Sequence, residues 1–186
     1  MMLTKKYDYS LFGALLFLIF AYPASAQHKL SDISLITIDD FKGVPPKNST
    51  FPIYTNSRVF YRIDTVMQKS EHKFKVRIKT KVEMYHEGSF WNTTLVKMDA
   101  VPRMLNHEQG HFYIAHIAAN KLEKELPSFT FTENWKEEVN KRFHELNRKF
   151  GEMDVKYDKE TMHGRNLTAQ KKWDTWIREQ LYLFGN

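Results

Sequence analysis

His107, Glu108 and His111 stand in the pattern H-E-x-x-H. On an α-helix, residues four apart are offset by about 40° and rise about 6 Å, so two imidazoles so placed can converge on one metal ion. Glu108 sits beside the first of them and can take a proton from a zinc-activated water. The pattern therefore points to hydrolysis at a bound Zn2+, with His107 and His111 as metal ligands and Glu108 as general base. The plain alternative is a pair of satisfied core histidines. A catalytic zinc takes three protein ligands, so one more is required. His163 is the first choice, because it lies in a polar stretch with Gly164 beside it. Asp158 and Glu133 stand as alternatives; Glu133 follows His111 by 22 residues. Tyr157 is a candidate catalytic residue whose hydroxyl could stabilise an oxyanion. Its alternative is a core tyrosine with the hydroxyl at the surface.

These side chains need a helix under them. Met104, Leu105, Phe112, Ala115, Ala119, Leu122 and Leu126 recur at three-, four- and seven-residue steps. Asp99 is a plausible N-cap, Pro102 falls in the first turn, and Pro127 blocks continuation. The pattern predicts a helix over 101–126. Gly110, between the two histidines, is a local cost unless another segment approaches there. Before this helix, 58–68 and 74–84 alternate as strands and predict an antiparallel hairpin with a loop of about five residues. Its edge could accept an extended peptide. Ser34 to Ile38 is a candidate short strand, Phe41 a core anchor, and 47–57 a surface loop. After the motif helix, 133–151 predicts a second helix through Trp135, Val139, Phe143, Leu146 and Phe150, with Gly151 ending or bending it. A last helix over 167–183 would bury Trp173, Trp176, Ile177, Tyr182 and Leu183. The fold class is α+β, a small antiparallel sheet followed by a helical half that carries a zincin-like H-E-x-x-H helix.

The chain has 186 residues with 42% hydrophobic and 15% aromatic content, enough for one core. Its first 26 residues read as a signal peptide. Lys5 and Lys6 precede an apolar run from Leu11 to Tyr22, and Ala24-Ser25-Ala26 is a cleavage site. The mature domain would be 27–186, periplasmic or secreted, with no stable membrane insertion after cleavage. There is no cysteine, so neither a disulfide nor a lipidated cysteine is available. The net charge of +6 is scattered, without the basic run of a nucleic-acid arm. The partner expected is a peptide or protein substrate.

Leu105-Asn106-His107-Glu108-Gln109-Gly110-His111-Phe112, followed by Tyr157-Asp158-x-x-Thr161-x-His163-Gly164, resembles a bacterial domain-of-unknown-function family described as predicted secreted zinc-dependent proteases. Asp40-Phe41-x-Gly43 and Ser89-x-Trp91 add to the likeness, which covers most of the mature chain. The resemblance implies metal binding by His107 and His111, Glu108 as base, and His163 as third ligand. The function expected is an exported zinc metallopeptidase. The alternatives are a non-catalytic, zinc-stabilised peptide-binding module and an amidase of cell-wall peptides.

Overall fold

Alternating apolar and charged residues make one face of a strand buriable and the other soluble. Val76 and Ile78 are the buried members of β3 (Lys73–Met84), which pairs antiparallel with β2 (Ser57–Ser70). The computed structural model describes residues 29–185. The expected signal peptide, 1–26, lies outside them. The hairpin turn is shorter than expected. Glu71 and His72 alone connect the strands, because His72 adopts a left-handed conformation at φ 65° that suits a two-residue turn.

A second pair of strands is very small. β1 (Ile53–Tyr54) runs antiparallel to β4 (Phe90–Trp91), and Gly43 bridges to Phe90 on the other side. The expected surface loop over 47–57 therefore contains a strand, whose partner is too distant in sequence to show as local alternation. The expected strand over Ser34–Ile38 does not form. The Ile36 N–H instead donates to Gln109 Oε1 at 2.6 Å, which pins this segment on the motif helix. Phe41 packs on the core and meets Trp91 edge-on.

Among the described residues, three α-helices complete the α+β architecture. α1 (Val101–Glu125) matches the predicted motif helix, although Ala100, without a side-chain cap, takes the N-cap place expected of Asp99. α2 (Trp135–Thr161) runs ten residues past its predicted end, straight through Gly151. α3 (Leu167–Gly185) packs against α1 and α2. It buries Trp173, Ile177 and Leu181, which share one face at four-residue steps. Tyr182 and Leu183, expected inside, point outward.

α1 is the central beam. Its C-terminal half packs Leu122, with Leu126 just beyond it, against Val76, Ile78, Val139, Phe143 and Leu146. Its N-terminal half meets Tyr157, Trp173 and Ile177. No described helix is long and apolar enough to cross a membrane.

Candidate metal centre

The length of α2 makes the site. Asp154, Tyr157, Asp158 and Thr161 follow one another at three- and four-residue steps, so they share the face turned to α1. α2 then ends on two left-handed residues, Met162 at φ 52° and His163 at φ 53°, followed by Gly164 at φ 75°. Two consecutive non-glycine residues in that region carry a steric cost. The bend returns the chain over α1, and the Gly164 carbonyl is held there by Arg103 Nη1 at 2.8 Å. A Cβ on Gly164 would lie 2.8 Å from the His107 Cβ, so this crossing requires glycine.

The convergence is tight. Asp158 Oδ1 is 3.0 Å from His107 Nε2, 3.1 Å from His111 Nε2 and 3.0 Å from His163 Nδ1. The two Nε2 atoms are 3.2 Å apart. With metal–nitrogen bonds of about 2.0–2.1 Å, the edges of a tetrahedral shell measure about 3.3 Å. The measured separations are close to that value, and histidine with carboxylate is a donor set suited to zinc. The residues therefore fit a metal ion. His163 and Asp158, offered by the sequence as alternatives for the third ligand, both lie beside His107, and Asp158 also faces His111. Glu133 does not: it sits by the hairpin turn, bonded to His72.

Each motif histidine is held from behind. His111 Nδ1 faces Asp154 Oδ1 at 2.7 Å. Burial opposes charging of His111, but its hydrogen bonds to Asp154 and Asp158 outweigh that and raise its pKa to about 10. Burial alone would raise the Asp158 carboxyl; the hydrogen bonds from His107 and His111 prevail and hold it well below the usual carboxylate range. His107 Nδ1 donates to Gln170 Oε1 at 3.1 Å. The Gln170 amide in turn donates to Tyr157 Oη at 2.7 Å and to Asp174 at 2.8 Å.

Tyr157 is fully buried, and its ring stacks on His107 at 4.6 Å. Its hydroxyl donates to the His107 carbonyl at 2.9 Å and accepts from Gln170. Burial lifts its pKa well above the ordinary phenol value. The expected oxyanion role places this hydroxyl in the cleft; the structure places it beneath His107, bonded to the His107 carbonyl. The same group accounts for Gly110, where a Cβ would come 2.1 Å from Tyr157 Oη. Asp154, Gln170 and Asp174 escaped sequence reasoning. Asp154 carried a signal, since it lies one turn before Asp158 on a helical face; Gln170 and Asp174 carried none.

Glu108 is buried beside both histidines, at 4% exposure, and makes no hydrogen bond or ion pair with another described residue. It lines a cavity of about 130 Å³ together with His107, His111, Asp158, His163 and residues 51–55. Tyr54, Thr55, His111 and Asp154 also line a second cavity of about 450 Å³, which continues past Arg58, Asn147 and Phe150. A larger cavity of about 780 Å³ between α2 and α3, around Met153, Trp173 and Trp176, holds none of the candidate metal ligands.

β1 borders the site with an open edge. The Pro52 carbonyl accepts from the Asn92 N–H at 2.8 Å, and Tyr54 is paired with Phe90. Backbone groups alternate along a strand, so those of Ile53 and Thr55 face away from β4. Both residues line the small cavity. Thr55 Oγ1 and Ser57 Oγ are sealed from solvent without a partner among the described residues. The edge that borders the ligand cluster is thus β1 rather than the 58–84 hairpin.

A family model matches residues 40–164, two thirds of the chain and every candidate ligand. The chain belongs to the family described as bacterial protein of unknown function, DUF922. That description names no activity. No curated protein and no solved structure matches the chain.

Proposed function

We propose that this DUF922 protein is an exported zinc-dependent hydrolase, a peptidase in which Glu108 is the general base. The observation that carries the reading is a buried, uncommitted carboxylate next to converging imidazoles, at the end of a cavity. Glu108 faces the cavity beside His107 and His111, where a carboxylate can reach a water held at the ligand cluster. The segment 1–26 supports export.

His107, His111 and His163 would hold the metal. Zinc, when bound, polarises a carbonyl and acidifies water in an open coordination position. The protein's own groups do the rest. Asp154 and Gln170 fix the ring orientations of His111 and His107. Glu108 takes a proton from the attacking water and delivers it to the leaving amine. An extended peptide pairs with the backbone of Ile53 and Thr55, which brings its chain across the ligand cluster. The second cavity then accepts a neighbouring side chain. Tyr157 serves as a positioning residue beneath His107.

The test is hydrolysis of a peptide library by the zinc-loaded mature chain, including cell-wall peptides among the substrates. Glu108→Gln should retain zinc and lose at least about 100-fold in turnover, within the range expected of a general base. A zinc-loaded parent that cleaves nothing, or a Gln variant as active as the parent, contradicts the reading. A second reading, a zinc-stabilised peptide-binding module, is favoured by one observation. Asp158 offers a fourth protein donor, and four protein ligands are the mark of structural zinc sites.

A further inference from the structure

Two glycines at the site have a visible reason to be glycine: Gly110 lies under Tyr157, and Gly164 is left-handed and passes His107. Gly151 has neither reason. We propose that Gly151 sets the size of the substrate side chain that the site accepts, by keeping open a pocket for a bulky apolar residue, such as leucine or phenylalanine, beside the bond to be cut. The inference rests on the peptide-binding part of the proposed function and can be tested apart from hydrolysis.

Gly151 stands in the interior of α2, where glycine is a poor helix former. Its φ is not in the left-handed region. A Cβ there would meet nothing within 4 Å. Neither the backbone nor the packing of the protein's own atoms therefore calls for glycine. Its place does. Asn147, Gly151 and Asp154 follow one another at four- and three-residue steps, so they share one face of α2. All three line the second cavity. A side chain at 151 would therefore stand in that cavity.

The facing helix repeats the pattern. His111, Ala115 and Ala118 form a row on α1, again at four- and three-residue steps, and line the same cavity. Each row begins at the candidate site, with His111 bonded to Asp154, and continues in side chains too small to fill the space between the helices. The cavity at the ligand cluster holds about 130 Å³, below the range of about 300–1,000 Å³ usual for ligand sites, whereas the second holds about 450 Å³. The bulk of a ligand belongs in the second. Its walls suit an apolar group, since Val59, Ala115, Ala118 and Phe150 contribute to them. The two charged members are engaged elsewhere. Asp154 holds His111, and the Arg58 guanidinium lies 3.8 Å from the centre of the Tyr85 ring.

The experiment uses the full mature chain loaded with zinc, and labelled alanine-rich peptides that differ at one residue: alanine, leucine or phenylalanine. Fluorescence anisotropy reads affinity in Glu108→Gln, where turnover is removed, and kcat/KM is read in the parent. The leucine and phenylalanine peptides should be preferred at least about tenfold over the alanine peptide, the low end of what filling a hydrophobic pocket gives. Gly151→Leu fills the pocket from α2 and should abolish that preference in both measurements. The alanine peptide should bind as before, and the urea midpoint should be no lower than the parent's, because leucine is the better helix former. Gly151→Ala should fall between the two. A preference that survives Gly151→Leu, or a urea midpoint that drops in both variants, overturns the proposal. Peptides cleaved without regard to this residue overturn it and leave the hydrolase reading standing. Peptides selected by size but not cleaved uphold it and overturn the hydrolase reading. A chain that neither binds nor cleaves them overturns both.

Discussion

The two ends of α1 differ in balance: the hairpin end buries mostly apolar side chains, with Asn120 and a Thr80-bonded Glu123 among them, whereas the other end buries a larger polar set. At the hairpin end, Leu122 sits among Val76, Ile78, Val139 and Phe143, with no polar atom to satisfy on any of these side chains. At the other end, the buried positions go to His107, Glu108 and Gln109, and the floor beneath them is Tyr157, tied to Gln170. Apolar packing is non-directional and scales with area removed from water. A buried polar network works only when each partner is present. One helix therefore joins a region held mainly by apolar packing to a region held mainly by directed polar contacts. With no cysteine in the chain, no disulfide supplements the packing, and on the proposed reading a bound metal would add to it.

That contrast predicts where substitutions act. Leu122→Ala should have the largest effect on stability, about 2–5 kcal/mol as for other buried leucines. Urea unfolding measures it, and zinc affinity of the folded fraction should be unchanged. An equal fall in both would mean that the ends are not separable.

Gly110→Ala should reverse the pattern. Its Cβ would meet Tyr157 Oη at 2.1 Å, so α2 must move back from α1. The expected cost is about 1–3 kcal/mol, the range for overpacked sites, together with weaker zinc binding. Adding Tyr157→Phe removes the clashing oxygen and should recover part of both losses. No recovery in the double variant would show that the contact is not the cause.

The ends should also answer differently to pH. Free of metal, His111 has a pKa raised to about 10 by its carboxylate partners, despite burial. Its stabilising contribution is fully present below the unfolded histidine value of about 6.5 and is lost as pH climbs toward the folded value. The urea midpoint of the metal-free chain should therefore fall between about pH 6.5 and 10. In His111→Gln that slope should flatten. Zinc must displace the same proton, so its affinity should rise over this window.

The smallest effect is expected at the hairpin turn. Glu133 pairs with exposed His72, and exposed pairs contribute about 0–1 kcal/mol. Glu133→Ala should shift neither zinc content nor stability measurably. A loss of zinc would restore Glu133 as a ligand.

These contrasts also explain what could be read in the sequence. The motif helix and the hairpin were legible because apolar periodicity runs through both. The second half of α2 was not. Its α1-facing positions are Asp154, Asp158 and Thr161 beside Tyr157, so the run of apolar residues breaks off where polar groups of the candidate site take the buried face. Gly151, exposed and with nothing within 4 Å of its place for a Cβ, then resembled a stop. The three histidines were recognisable by type and spacing. Tyr157 was recognised as special, but only the packing of its ring on His107 placed it below the ligands rather than above. β1 is two residues long, and its pairing with Phe90 and Trp91 is too remote to leave a local signal.

The central claim is that one metal ion joins α1 to the end of α2, and elemental analysis of the zinc-reconstituted mature chain tests it most directly. The account predicts one zinc per chain, kept in Glu108→Gln and lost in His111→Ala with the helical circular dichroism retained. A parent that binds no zinc, or a His111→Ala variant that holds it as firmly as the parent, would contradict it.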